Sequence, residues 1–264
     1  MSKAWEQYVS EMYKKFGYIA TWTPGVQLKL GDFGIIKDKK FDRIANIGSL
    51  GITFQTRPDS SEESQKHTST GNVSVIFKAA GKAPQVGSVL TEAEAGFTIE
   101  FKKSKSTVYE ALGCTAPSIE NQLEIGKKVI ELYKKGDWNK DWVVITELVE
   151  AKSATVLISN SSNSKIEISV KGNISGATAS IADVNAKLQV EFSRDMNTQL
   201  VSEKGLTPLF KARGIKSNGP VGPFENINRL GSLDFLDYAT PNSLTGEEEL
   251  LFEPILLDFS DDEI

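Results

Sequence analysis

Apolar side chains recur at intervals of three and four in only three places along the chain, and over most of its length they alternate with polar ones instead. The first helical stretch sets Trp5, Tyr8, Val9, Met12, Tyr13 and Phe16 on one face and lysines and glutamates on the other, and Gly17 ends it. The second is predicted from Ser118, as N-cap after Pro117, to about Lys135. It places Ile119, Leu123, Gly126, Ile130 and Tyr133 on one face, with Lys127, Lys128, Lys134 and Lys135 in later turns where the helix dipole favours cations. The third lies in the last fifteen residues, LLFEPILLDFSDDEI. There Phe252, Ile255, Leu256 and Phe259 recur at helical spacing, and Pro254 falls in a first turn that tolerates it.

The alternating stretches predict strands. Between residues 18 and 54, short strands are punctuated by Gly25, Gly31, Gly34, Gly48 and Gly51, with a hairpin turn at Asp38 to Lys40. RPDSSEESQKHTSTG, 57 to 71, has no apolar residue and reads as an exposed loop. Two pairs of longer strands follow. In the first, Val73, Val75 and Phe77 alternate with Ser74, Ile76 and Lys78, and Phe97, Ile99 and Phe101 with Thr98, Glu100 and Lys102. In the second, Ile166, Ile168 and Val170 alternate with Lys165, Glu167, Ser169 and Lys171, and Leu188, Val190 and Phe192 with Lys187, Gln189 and Glu191. The apolar run DWVVITELVEAKSATVLIS is long enough to be a central strand, and GLTPLFKARGI reads as the last strand of the body. The pattern predicts an α+β fold: a strand-dominant twisted antiparallel sheet with an N-terminal helix and a central helix packed on it.

Composition adds a division to this picture. The chain has 264 residues, 39% hydrophobic and 25% charged, enough for one sizeable core or two small ones. Its net charge of −5 is unevenly spread: residues 217 to 264 hold eleven acids against one base, Arg229, whereas residues 1 to 216 carry a net +5. Glycine and proline crowd Gly219 to Pro223, so a linker is expected at 212 to 226 with Arg213 and Lys216 as basic cleavage positions. This divides the chain into a strand-rich body, 1 to 216, and an acidic, apolar C-terminal segment, 217 to 264. Leu250, Leu251, Phe252, Ile255 to Leu257 and Phe259 would be costly to leave in water, so the segment reads as a cover docked on the body.

Candidate chemistry is sparse. No phosphate-binding glycine loop, nucleophile elbow, HExxH or paired CxxC occurs, and neither cofactor nor metal is expected. His67 is the single histidine, in the most polar stretch. Cys114, in ALGCTAPS, precedes a predicted helix N-terminus that would lower its pKa, but a thiol enzyme would need His67 beside it. A lone cysteine excludes an internal disulfide framework and fits a reducing, cytoplasmic setting. The body has four arginines, and its aromatics fall at core-like positions, so nucleic acid is not an expected partner. No run of eighteen apolar residues indicates a membrane helix, and the polar start does not read as a signal peptide.

Strands that alternate this evenly serve either a globular core or a bilayer, where one face meets lipid and the other water. The order of elements resembles the gasdermin pore-forming family, in particular its short bacterial and fungal members. The family opens with a small helix and a short strand pair, which GYIATWTPGVQLKLGDFGIIKDKKFDRIANIGSLG resembles. Two alternating pairs follow, separated by a helix and by DWVVITELVEAKSATV. The resemblance covers residues 1 to about 215. It implies a latent, non-enzymatic protein of cell death or defence, held inactive by a C-terminal segment that a protease removes. Once active, such a protein would assemble on acidic lipid as a homo-oligomeric β-barrel, with the two pairs as membrane-inserting strands. Bacterial members carry a lipid-modified cysteine near the N-terminus; here Cys114 is internal, and the basic face would anchor instead. The alternative is a soluble β-rich binding or scaffold protein.

Overall fold

In a computed structural model, residues 4–78, 81, 95–159, 161–170, 188–192, 199–218 and 249–257 are described. Helix α1 (Ala4–Phe16) leads into β1 (Ile19–Ala20) and the hairpin β2 (Asp32–Lys37) and β3 (Lys40–Asn46). A short 3-10 turn, Ile47–Leu50, comes next. Then come β4 (Thr56–Arg57), β5 (Glu63–Thr68), β6 (Val73–Lys78), β7 (Ala95–Phe101), β8 (Thr107–Thr115) and β9 (Ser118–Ile119). Helix α2 (Gln122–Lys135) precedes β10 (Trp142–Ile158), β11 (Ser164–Val170), β12 (Leu188–Phe192), β13 (Gln199–Asn218) and β14 (Glu249–Pro254). The fold is the expected strand-dominant α+β arrangement, all antiparallel in its pairings. The expected β2–β3 turn is there too, with Asp38 and Lys39 at φ 50° and 63°, the left-handed conformation of a tight hairpin.

β10 is the spine of a ten-stranded sheet. It pairs with β13 from Val143↔Gly214 to Ile158↔Gln199, and on its other edge with β2, β9 and β8 in succession. A bulge between Ile145 and Glu147 adds one residue to β10. A second register shift lies between Val149 and Ala151; the main core takes odd positions before the first (Val143, Ile145), Leu148, Val149 and Ala151 around the second, and even positions after it (Ala154, Val156, Ile158). That core also takes Tyr8, Val9 and Met12 of α1 and Leu206, Leu209 and Phe210 of β13. Val144 and Leu157 point to the other face and seed two further clusters, one under α2 and one under the β6/β7/β11 strands.

Three sequence expectations are corrected. The central helix begins at Gln122, not Ser118. Ser118 and Ile119 are committed to backbone pairing with Glu147, Arg57 and Thr56, which leaves no helical start there. Asn121, the residue before the helix, makes no side-chain cap; its Oδ1 accepts from Gln55 N at 2.9 Å instead. With the start moved, the buried stripe of α2 is Ile125, Gly126 and Val129, and Leu123 is 64% exposed. Secondly, the polar stretch 57 to 71 holds a strand, β5, and the last residue of β4, and is not one continuous loop. β5 pairs with β8, its period-two inner positions being Gln65, which accepts from Tyr109 Oη at 3.0 Å, and His67. An edge strand with one wet face needs no apolar residue, so hydrophobic periodicity could not reveal it. Thirdly, the tail is a strand, β14, where its spacing predicted a helix.

Candidate functional site: an apolar sheet face and a strand-paired tail

The two alternating pairs meet in one four-stranded sheet ordered β12-β11-β7-β6. Register places all twelve predicted membrane-inserting residues in four cross-strand rows: Val73–Phe101, Val75–Ile99–Ile166–Phe192, Phe77–Phe97–Ile168–Val190, and Leu188–Val170 beside Ala95. Rows of one parity share one face of a sheet. In these rows Phe97, Ile99, Phe101, Ile166 and Ile168 are buried against Val108 of β8 and Leu157 of β10, with Val73 and Phe77 packed at the margin. The Phe77 and Phe97 rings lie 5.0 Å apart. Val75, on edge strand β6, is 39% exposed. The intervening rows, Ser74–Glu100–Lys165 and Ile76–Thr98–Glu167–Glu191, are polar except for Ile76 on edge strand β6, and Lys165 Nζ lies 2.7 Å from the sequestered Glu167 carboxylate. Apolar and polar rows thus occupy opposite faces of one sheet.

The tail closes the far edge of the large sheet. β14 runs antiparallel to residues 213–218 of β13, from Arg213↔Pro254 to Asn218↔Glu249, and Ile255 N continues the ladder to Ala212 O at 2.9 Å. Leu250 and Phe252 pack into the cluster under α2, while Ile255 and Leu257 join the main core. The segment therefore grips both faces of the sheet edge, as the alternation of a strand requires. Two glycines make room for it. A Cβ on Gly126 of α2 would stand 2.8 Å from Phe252 Cβ, and one on Gly214 of β13 would stand 3.1 Å from Ile255 Cδ1. Lys216 Nζ lies 3.6 Å from Glu253, and Arg213 Nη1 donates to the Phe252 carbonyl at 3.2 Å. Burial lowers the Arg213 pKa from its ordinary value, and Glu253 opposes that shift.

Of the residues predicted for the tail, Phe252 and Ile255 are seated on the body, Leu256 is 71% exposed, and Phe259 lies outside the described residues. Leu256 lies past the end of β14 at Pro254. The expected linker cations are corrected as well: Arg213 and Lys216 sit inside the β13–β14 ladder, since β13 continues to Asn218. The glycine- and proline-rich residues that follow lie outside the described residues. Neither Gly126 nor Gly214 is marked as a socket by sequence alone.

His67 and Cys114 are not brought together. His67, on β5, faces Tyr109 of β8 in register, and Cys114, on β8, faces Glu63 of β5. His67 Nε2–H donates to Glu11 Oε2 at 2.9 Å, and Glu11 also accepts from Ser69 Oγ and Gln7 Nε2. Ser69 Oγ accepts from Thr107 N at 2.8 Å, so this carboxylate ties α1 to the β5–β8 end of the sheet. Cys114 lies within a strand, not before a helix, and burial pushes its thiol up to about 11, against the lowering a nucleophile needs. It lines a cavity of about 420 Å³ with Tyr18, Asp59 and Glu63.

Among the described residues no helix is long and apolar enough to cross a membrane. No protein-family model matches the chain, and no curated protein matches it in sequence.

Proposed function

We propose that the chain is a latent membrane-permeabilising protein of gasdermin-like type. Its β6/β7 and β11/β12 strands leave the body and join a β-barrel of several copies on acidic lipid, and its C-terminal segment holds the resting state until it is removed or displaced. The observation that carries this reading is the joining of the two alternating pairs into one sheet with apolar rows on one face and polar rows on the other. That is the division a bilayer-spanning sheet needs. In the resting state those apolar rows lie on Val108 and Leu157 of the large sheet. The described strands have five to seven residues, whereas a tilted span needs about nine to eleven, so insertion must recruit residues beyond the strand ends.

The test is dye release from vesicles containing phosphatidylserine, with protein carrying an engineered protease site within residues 219–248. Cutting there spares the β13–β14 ladder. Release should rise after cleavage and tail dissociation and be low with zwitterionic vesicles. No release from cleaved, tail-free, soluble protein refutes the reading.

A soluble binding or scaffold role is favoured by one observation, the inclusion of β14 in the body's own sheet. In that case a chain ending at Asn218 fails to fold and is harmless to its host, whereas the latent-pore reading makes the same truncation toxic.

A further inference from the structure

We propose that the groove between α2 and the outer edge of β13 is a strand-addition site for an extended segment of a partner protein with the pattern Leu-x-Phe-Glu-Pro-Ile. In this view β14 is a built-in competitor for the groove. The groove has the parts such sites need. Backbone groups of residues 213–218 supply a ladder, and the opposite edge of β13 is already taken by β10, for example at Gly214↔Val143. Selectivity comes from side-chain sockets on both faces, Gly126 receiving the Phe and Gly214 the Ile three residues on. Arg213 donates to a backbone carbonyl of the added strand, and Lys216 stands beside its Glu. This favours an acidic segment over a basic one.

β14 is well placed to exchange. Thirty residues, 219 to 248, separate it from β13, so it is not held by a tight hairpin turn. Its other edge pairs with no strand among the described residues, so its release opens one ladder and unseats Leu250, Phe252, Ile255 and Leu257. A partner presenting the pattern thus opens the chain without cutting it. The groove's specificity does not depend on membrane activity; only the consequence of opening rests on the latent-pore reading.

The test uses the full chain and no membrane. A fluorescein-labelled peptide of residues 249–257, ELLFEPILL, is titrated by anisotropy against wild type and against a chain whose own tail carries Phe252→Ala. Weakening the internal competitor should tighten peptide binding at least tenfold over wild type. A peptide with Ala in place of its Phe should bind the Phe252→Ala chain at least tenfold more weakly than the parent peptide. If Phe252→Ala is insoluble, Ile255→Ala in the tail serves the same comparison. Equal binding of the Ala-substituted or a scrambled peptide, or no binding to either variant, overturns the proposal. Concentration-dependent dimerisation of the variant without peptide binding also overturns it, assigning the groove to a second copy. Vesicle leakage fails or succeeds separately, so the two readings stand or fall apart.

Discussion

Replacing Gly126 by Ala sets two effects of opposite sign against each other. In a helix interior Ala is favoured over Gly by about 0.5–1 kcal/mol, so α2 and the body should gain. The added methyl carbon, however, arrives 2.8 Å from Phe252 Cβ and 3.0 Å from its Cδ1, where carbon contacts are relaxed at about 3.5–4.0 Å. Phe252 Cβ is one bond from the backbone, so a rotamer change does not relieve the contact; β14 itself has to retreat by up to about 1 Å. Fully burying a Phe contributes about 1.5–3 kcal/mol, and Phe252 is only partly buried, so the local loss is about 1–2 kcal/mol. The expected outcome is a melting temperature unchanged or slightly lowered, since the local loss equals or exceeds the helix gain, with a tail that opens more often. Hydrogen exchange read by mass spectrometry separates the two. The Ile255 amide, bonded to Ala212, and the amides of β14 should exchange about five- to thirtyfold faster, while those of α2 do not. Unchanged β14 protection alongside a raised melting temperature would show that the Gly126 socket does not hold the tail.

Val75→Lys should leave the fold intact, within about 0.5 kcal/mol by urea denaturation, because Val75 is exposed on an edge strand. It should nevertheless cut vesicle leakage at least tenfold, since a Lys facing mid-bilayer lipid costs about 2–4 kcal/mol; full leakage would remove that row from the lipid face. Ile168→Asp, at a fully buried position, should instead prevent folding, seen as loss of the cooperative melt. Cys114 carries a pKa raised to about 11, so the native state holds its proton more tightly than the unfolded chain does. Its contribution to stability is complete below the ordinary thiol range and is lost as pH rises through about 11. At pH 8 native protein should react with iodoacetamide far more slowly than unfolded protein, and equal rates would contradict this burial. Ser69→Ala should cost about 1–3 kcal/mol in urea denaturation by leaving the Thr107 N–H without its acceptor, and a change under about 0.5 would place that bond outside the stability of the fold.

Periodicity revealed what is buried and missed what is merely paired. Alternation at Phe97, Ile99, Ile166 and Ile168 marked the apolar rows because one face of each strand is dry. The long run at 142–158 marked the spine because both its faces are covered. β5 escaped notice because an edge strand with polar residues is held by its backbone, by the Glu11–His67 contact and by the Lys66–Glu110 pair. The tail is a strand where its pattern predicts a helix, because 252, 255, 256 and 259 fit a helical stripe as readily as a strand that anchors alternately on two sides. The empty space at Gly126 is a property of how α2 and β14 approach each other, and no local pattern encodes that distance.

The pairing of β1 with β13 governs when this protein can be complete. Ile19 and Ala20 pair with Phe210 and Leu209, Thr21 Oγ1 donates to Thr207 O at 2.6 Å, and Leu28 N donates to Thr207 Oγ1 at 2.7 Å. During synthesis at roughly 5–20 residues per second, the first strand waits roughly 10–40 s for its partner to emerge. Through that interval Tyr8, Val9 and Met12 have no finished sheet to rest on. A nascent chain stalled before Leu206 therefore remains unfolded on the ribosome, protease-sensitive and dependent on chaperones, and the fold closes only after the last long strand has left the exit tunnel.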